Sequence, residues 1–154
     1  MQILEKMGER AVAAKYSLQL LSEEEKNKAL AAAAEGLLRD TQKILDANEK
    51  DMQTGRENGM HPGMLDRLQL STDRIKAMAE GILQIVKLPD PVGQILEEWE
   101  RPNGLKIRKI SVPLGVIGII YESRPNVTAD AFALCFKAGN AVILKGGKDA
   151  LHSN

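Results

Sequence analysis

The stretch VPLGVIGIIYESRPNVTADAFALCFKAGNAVILK, residues 112–145, decides how this chain is read. Val112 to Tyr121 is an apolar run, rich in Val and Ile, that does not alternate with polar residues. Such a run suits a strand buried on both faces, as in a parallel sheet. A polar knot, YESRPN, follows it, and the spacing beyond predicts a helix from about Val127 to Ala138 that stops at Gly139-Asn140. AVILK then reads as a second buried strand. Strand, helix and strand within about 35 residues make a βαβ unit with a right-handed crossover and parallel strands.

The loop after each strand therefore leaves the same edge of the sheet, outside the carboxyl ends where such sheets take their ligands. Those loops run from Tyr121 to Asn126 and from Lys145 to Lys148. They bring together Arg124, Lys145 and Lys148, with Gly146 and Gly147 to admit a ligand close to the backbone. Glu122 and Ser123 line the same edge, by backbone more than by side chain. Helices starting near Asn126 and near Lys148 present free N–H groups there. A cationic, glycine-lined rim of this kind suits a phosphorylated ligand. The usual nucleotide signatures are missing: no G-x-G-x-x-G follows the first strand, and LKGGKD lacks the Ser/Thr and the glycine spacing of a P-loop.

Upstream, the pattern is helical. Ile3, Leu4, Met7, Ala11, Ala14, Leu18 and Leu21 recur at three- and four-residue steps and share one face. Ser22 with Glu25 is a capping-box pattern, so a second helix starts there and carries the alanine-rich ALAAAAEGLL. A third helix runs from about Thr41 to Glu57 and ends at Asn58-Gly59, with His61-Pro62-Gly63 as a loop. Ser71 caps a further helix bearing Ile75, Met78, Ile82, Leu83 and Val86, which Pro89 and Pro91 stop. Gln94 to Glu100 and Leu105 to Ser111 flank RPNG, a reversing turn, and read as a β-hairpin. The Pro/Gly region 89–104 is the natural boundary between the helical and the strand-bearing parts.

Twenty-one basic residues balance twenty-one acidic ones, so no net charge draws the chain to nucleic acid or to an acidic membrane, and recognition must be local. One cysteine forms no internal disulfide and suits a reducing compartment. The N-terminus lacks the apolar core of a signal peptide, and no apolar run approaches the ~20 residues that span a bilayer, so a cytoplasmic protein is expected. Cys135 shares a helix face with Ala131, Leu134 and Ala138, has no local His, and reads as an inert core thiol. Asn126 reads first as an N-cap. His61 and His152 lack metal-ligand spacing and read as loop or cap residues; no metal site is expected.

VPLGVIGIIYESRPNV and GNAVILKGGKDALHSN strongly resemble the gamma-glutamyl phosphate reductase (glutamate-5-semialdehyde dehydrogenase) family, part of the aldehyde dehydrogenase superfamily. ILDANEKDM, MLDRLQLSTDRI, LPDPVG and RPNGLKIRKISVPLGV are similar to family segments too. The resemblance implies an α/β fold: N-terminal helices, a hairpin arm, and the first βαβ unit of a truncated Rossmann-like cofactor domain. The parts are 1–93 for the helices, 94–111 for an arm that joins a homo-oligomer, and 112–154 for the start of the cofactor sheet. It implies NADPH-dependent reduction of L-glutamate 5-phosphate to the semialdehyde, in proline biosynthesis, through a cysteine thioester. The nucleophilic cysteine belongs to a later catalytic domain, so this chain is expected to be inactive alone. Lys145 matches the superfamily lysine that reaches the adenosine ribose. Lys148 falls where NAD-specific relatives carry Glu, which favours the 2′-phosphate of NADP. By analogy Asn126 is a candidate oxyanion donor, although a letter-by-letter match sets Arg124 at that position. Two other readings are a non-catalytic nucleotide-binding or oligomerisation module, and an acylating aldehyde dehydrogenase with another substrate.

Overall fold

Ser22 opens the second helix as its pattern requires: its Oγ accepts from the Glu25 N–H at 3.2 Å while the Glu25 carboxylate accepts from the Ser22 N–H at 2.8 Å. In the computed structural model, which describes residues 2–154, this is α2 (Glu23–Arg39), after α1 (Gln2–Leu18) and before α3 (Thr41–Glu57). Next come α4 (Pro62–Leu68) and α5 (Thr72–Val86). Strands β1 (Ile95–Glu100) and β2 (Lys106–Ile110) precede β3 (Val116–Ile120), α6 (Pro125–Lys137) and β4 (Ala141–Lys145), and a 3₁₀ turn spans Lys148–Ala150.

Two helices depart from expectation. His61-Pro62-Gly63 is the start of α4, not a loop. The His61 Nδ1 accepts from the Gly63 N–H at 3.2 Å, and Pro62 sits at the first helical position, where its missing N–H costs nothing. The α1 helix forms, but its amino-terminal apolar residues stay outside: Ile3 and Leu4 are 76% and 69% exposed, and Ala11 alone is buried.

The core is built from α2, α5 and α6. Leu30 and Ala34 meet Ala79, Ile82 and Ile85, and Ala133 closes the cluster from α6. The alanines let the helix axes approach. A second cluster joins Leu70, Ile75 and Met78 to Ile44 and Leu45, and a third sets Met52 and Leu68 against Ala150.

Two lysines are sealed into this packing. Lys26 is 1% exposed and pairs with Asp90. Lys137 is 3% exposed, and its Nζ donates to Asn27 Oδ1 at 2.6 Å and to Glu23 Oε1 and the Val86 carbonyl at 3.3 Å. Together they tie the start of α2, the end of α6 and the strap after α5 into one polar knot.

β3 and β4 are parallel, in register from Val116 opposite Ala141 to Ile120 opposite Lys145, with α6 as the crossover. Gly139 ends α6 at φ +72°, and a Cβ there would lie 2.9 Å from Pro113 Cγ, so only glycine fits. Burial of these strands on both faces is not what the structure shows. Ile120 is 82% exposed, Gly118 is exposed, and β4 is only partly covered. The physical reason is coverage: α1 and α6 lie mainly along β4, and no third strand joins the pair among the described residues.

The hairpin forms where RPNG predicts it. Gly104 N–H donates to the Arg101 carbonyl at 2.8 Å and Arg101 N–H to the Leu105 carbonyl at 2.9 Å. Asn103 keeps a negative φ while Gly104 takes +80°, which is a type I turn closed by a glycine bulge. Glu97 faces Lys109 and Glu98 faces Arg108, both as ion pairs. Nearly all of the arm is exposed, including Ile95, Leu96 and Ile110. No described helix is long and apolar enough to cross a membrane.

Candidate functional site

The parallel pair delivers both loops to one edge. Tyr121 N–H still donates to the Lys145 carbonyl at 3.1 Å, so the strands remain paired to the point where each loop begins. Beyond it the loops are stitched together. Ser123 Oγ donates to Asp149 Oδ2 at 3.1 Å. Gly147 lies flat on the first loop: a Cβ built on it would collide with Ser123 Oγ and stand 2.8 Å from the Ser123 backbone nitrogen. Gly146 is as tightly enclosed, by Asn154 and by the Tyr121 hydroxyl, which is itself hydrogen-bonded to Thr128 Oγ1 at 2.6 Å. Glycines at both positions follow from this contact alone.

A cleft of about 320 Å³ opens beside the stitched loops. Glu122, Ser123, Arg124, Gly147, Lys148 and Asp149 form one side. The other side is Met60, Met64 and Arg67, from α4 and the residues before it. Two carboxylates therefore stand among three cations, and the Arg124 guanidinium reaches Glu122 at 3.7 Å. Arg124 Nε is buried without a hydrogen-bond partner among the described residues.

Of the expected residues, Glu122, Ser123, Arg124, Gly147 and Lys148 meet in this cleft. Lys145 and Gly146 stand on the same sheet edge but do not line it. Asn126 is not an N-cap. The helix starts earlier than its spacing suggested, with Arg124 at the cap and Pro125 first in the helix. That places Asn126 at the second helical position, where it lines a neighbouring pocket together with Arg124. Pro125 is the reason, since its fixed φ suits the first turn. Cys135 is 7% exposed, and burial pushes its thiol up, as befits a core residue. Leu134, expected on the same face, is instead 54% exposed.

Met60, Met64 and Arg67 had no place in the sequence reading of the site. The signal for them was present: a Pro preceded by a residue able to cap, then Met64, Leu65 and Leu68 at helical spacing. The second loop is also anchored behind the cleft. Asp51, buried on α3, accepts the N–H groups of His152 at 3.1 Å and Ser153 at 2.8 Å, and the Ser153 hydroxyl at 2.6 Å.

Gly147→Ala is expected to force the loops apart and lower stability by about 1–3 kcal/mol, the usual cost of overpacking. Chemical denaturation checks it; an unchanged midpoint would mean that the loops are free to separate.

No family model matches the chain. Curated relatives do. A gamma-glutamyl phosphate reductase from Anoxybacillus flavithermus is 57% identical over 137 residues, covering 89% of this chain and 33% of the relative. Its counterpart from Geobacillus kaustophilus is 55% identical over 153 residues, or 99% of this chain and 37% of the relative. The crystal structure of a gamma-glutamyl phosphate reductase from Thermotoga maritima superposes with a TM-score of 0.96 at 42% identity, over 98% of this chain and 36% of that one. The Saccharomyces cerevisiae enzyme gives 0.92 at 34% identity, over 96% and 38%. A probable aldehyde dehydrogenase from Listeria monocytogenes, at 16% identity and a TM-score of 0.68, shares the fold. The chain spans about a third of the length of these relatives. Across nearly all of its own residues, in sequence and in fold, the chain is similar to about a third of the length of the gamma-glutamyl phosphate reductases it matches.

Proposed function

We propose that this chain is the N-terminal, cofactor-binding part of an enzyme that reduces L-glutamate 5-phosphate to L-glutamate 5-semialdehyde, with NADPH as reductant and phosphate as leaving group. The single observation behind this reading is the cleft where Arg124, Gly147 and Lys148 converge on the carboxyl edge of a parallel sheet, in a chain with these relatives. The residues fit an anionic cofactor. Gly147 lets the two loops close against each other at the cleft wall, and Lys148 and Arg124 supply positive charge for phosphate groups. When bound, the cofactor supplies a hydride.

The roles of this chain's residues follow. Lys148 holds the 2′-phosphate, and Lys145, at the end of β4, reaches the adenosine ribose. Glu122, Ser123, Gly146 and Gly147 shape the loops around the cofactor. The Asn126 amide donates to the oxygen of the reacting carbonyl. The nucleophile is a thiolate from the remainder of the protein, since Cys135 is buried. Its sulfur would displace phosphate from the acyl carbon to give a thioester, and the hydride that a bound cofactor would supply reduces that thioester to the aldehyde with release of the thiolate. Alone, the chain is inactive. The pathway served is proline biosynthesis. The exposed arm, with Ile95, Leu96, Leu105 and Ile110 in solvent, supports assembly of a homo-oligomer through residues 94–111.

The test is run in reverse on the full-length protein. NADPH formation that requires both glutamate 5-semialdehyde and inorganic phosphate supports the reading. Turnover with a thiol acceptor in place of phosphate would assign an acylating aldehyde dehydrogenase. No turnover with either would leave a binding module.

A further inference from the structure

A second pocket, of about 620 Å³, adjoins the cofactor cleft and shares Arg67 and Arg124 with it. It lies between the end of α4, the start of α5 and the start of α6, and is further lined by Arg74, Asn126 and Asp130. Its charged groups are not equivalent. Arg74 is fully engaged: it donates to the Asp66 carbonyl, to the Gln69 carbonyl at 2.7 Å and to Asp66 Oδ1 at 2.9 Å, which fastens the end of α4 to α5. Arg67 makes no hydrogen bond or ion pair among the described residues, and Arg124 has only the long contact to Glu122 and an unpartnered Nε. Across the pocket, Asp130 is half-buried and pairs with no cation among the described residues. Burial pushes its carboxyl up, opposed in part by hydrogen bonding from Asn126.

Two guanidinium groups with spare donors and one unpaired carboxylate describe a bipolar ligand. The phosphates of a dinucleotide would be served by the arginines but gain nothing from Asp130. An amino acid activated as an acyl phosphate carries an anion at one end and an ammonium at the other. We infer that this pocket holds the acyl-phosphate substrate, with Arg67 and Arg124 on its phosphate and Asp130 on its α-ammonium. The inference rests on the proposed reaction and adds the residues that read the substrate. The shared arginines also place the phosphate at the wall between the two pockets, beside the cofactor.

The test uses the full-length protein in the direction that consumes semialdehyde, phosphate and oxidised cofactor, because each then has its own KM. Arg67→Gln is expected to raise the KM for inorganic phosphate about ten- to a hundredfold, the range for a lost charge-assisted contact, with a much smaller change in the cofactor KM and the unfolding midpoint unchanged. Arg67→Lys recovers part of the loss. Asp130→Asn is expected to raise the KM for glutamate 5-semialdehyde at least tenfold, but not that for the same aldehyde lacking its amino group. A phosphate KM that does not move, an Arg67 effect on the cofactor KM alone, or equal losses for both aldehydes in Asp130→Asn overturns the inference. A wild-type protein without phosphate-dependent turnover overturns the proposed reaction itself, so the two failures are told apart.

Discussion

Replacing Lys26 with alanine is expected to cost about 3–5 kcal/mol of folding stability, because it strands a carboxylate in a nearly closed site. Lys26 is 1% exposed, and its partner Asp90 has a side chain only 15% exposed. Burial pulls the Asp90 carboxyl up, but the hydrogen bond from Lys26, the Val92 N–H at 3.0 Å and the charges of Lys26 and Lys137 outweigh it and hold the group below its ordinary range. A carboxyl depressed in the folded state stabilises the protein above its unfolded value of about 4, and that contribution is lost as pH falls through the lower folded value. Wild type should therefore weaken on acidification below about pH 4, and Asp90→Asn should flatten that dependence. Adding Asp90→Asn to Lys26→Ala should recover part of the loss, since no buried charge is then left alone. Denaturant titrations of the four proteins decide it. A Lys26→Ala loss below 1 kcal/mol, or no recovery in the double variant, would mean that water reaches Asp90.

The second large effect concerns cofactor choice. If Lys148 holds the 2′-phosphate as proposed, Lys148→Glu in the full-length protein should raise the KM for NADPH on the order of a hundredfold, because it replaces an attractive partner with a repulsive one. NADH, which has no such phosphate, should change by no more than a few-fold. Lys148 is exposed, so salt should shrink the difference. Equal losses for both cofactors would remove the 2′-phosphate from Lys148 and return that residue to the solvated surface.

Much of this architecture could be read from local signals. The capping box at Ser22, the span of α3, the RPNG turn and the βαβ unit are written in adjacent residues, and the structure reproduces them. The misreadings also share a cause. In sequence, Pro62 and Pro125 look like breaks or preludes to a helix, yet both occupy the first helical turn. With α4 present, Met64 and Arg67 reach the cleft, and with α6 starting at Pro125, Asn126 sits inside the first turn and not at its cap. Burial was harder still. Nothing near Lys26 or Lys137 announces that a lysine will be sealed away, because their partners come from segments distant in sequence. The exposure of β3 was hidden for the same reason: an apolar run records what a strand prefers, not what covers it.

The Asp51 clamp on residues 152–153 has one further implication. The glycine turn at 146–147 is fixed at both ends, by the β4 ladder and by a carboxylate on α3, so the ordering entropy of that segment is lost when the chain folds. On the proposed assignment, a nucleotide arriving there would meet a cradle already held in place. Calorimetry should accordingly report a small binding heat-capacity change, without the signature of coupled folding, and Asp51→Ala should turn that rigid docking into one that must also tame a loose loop.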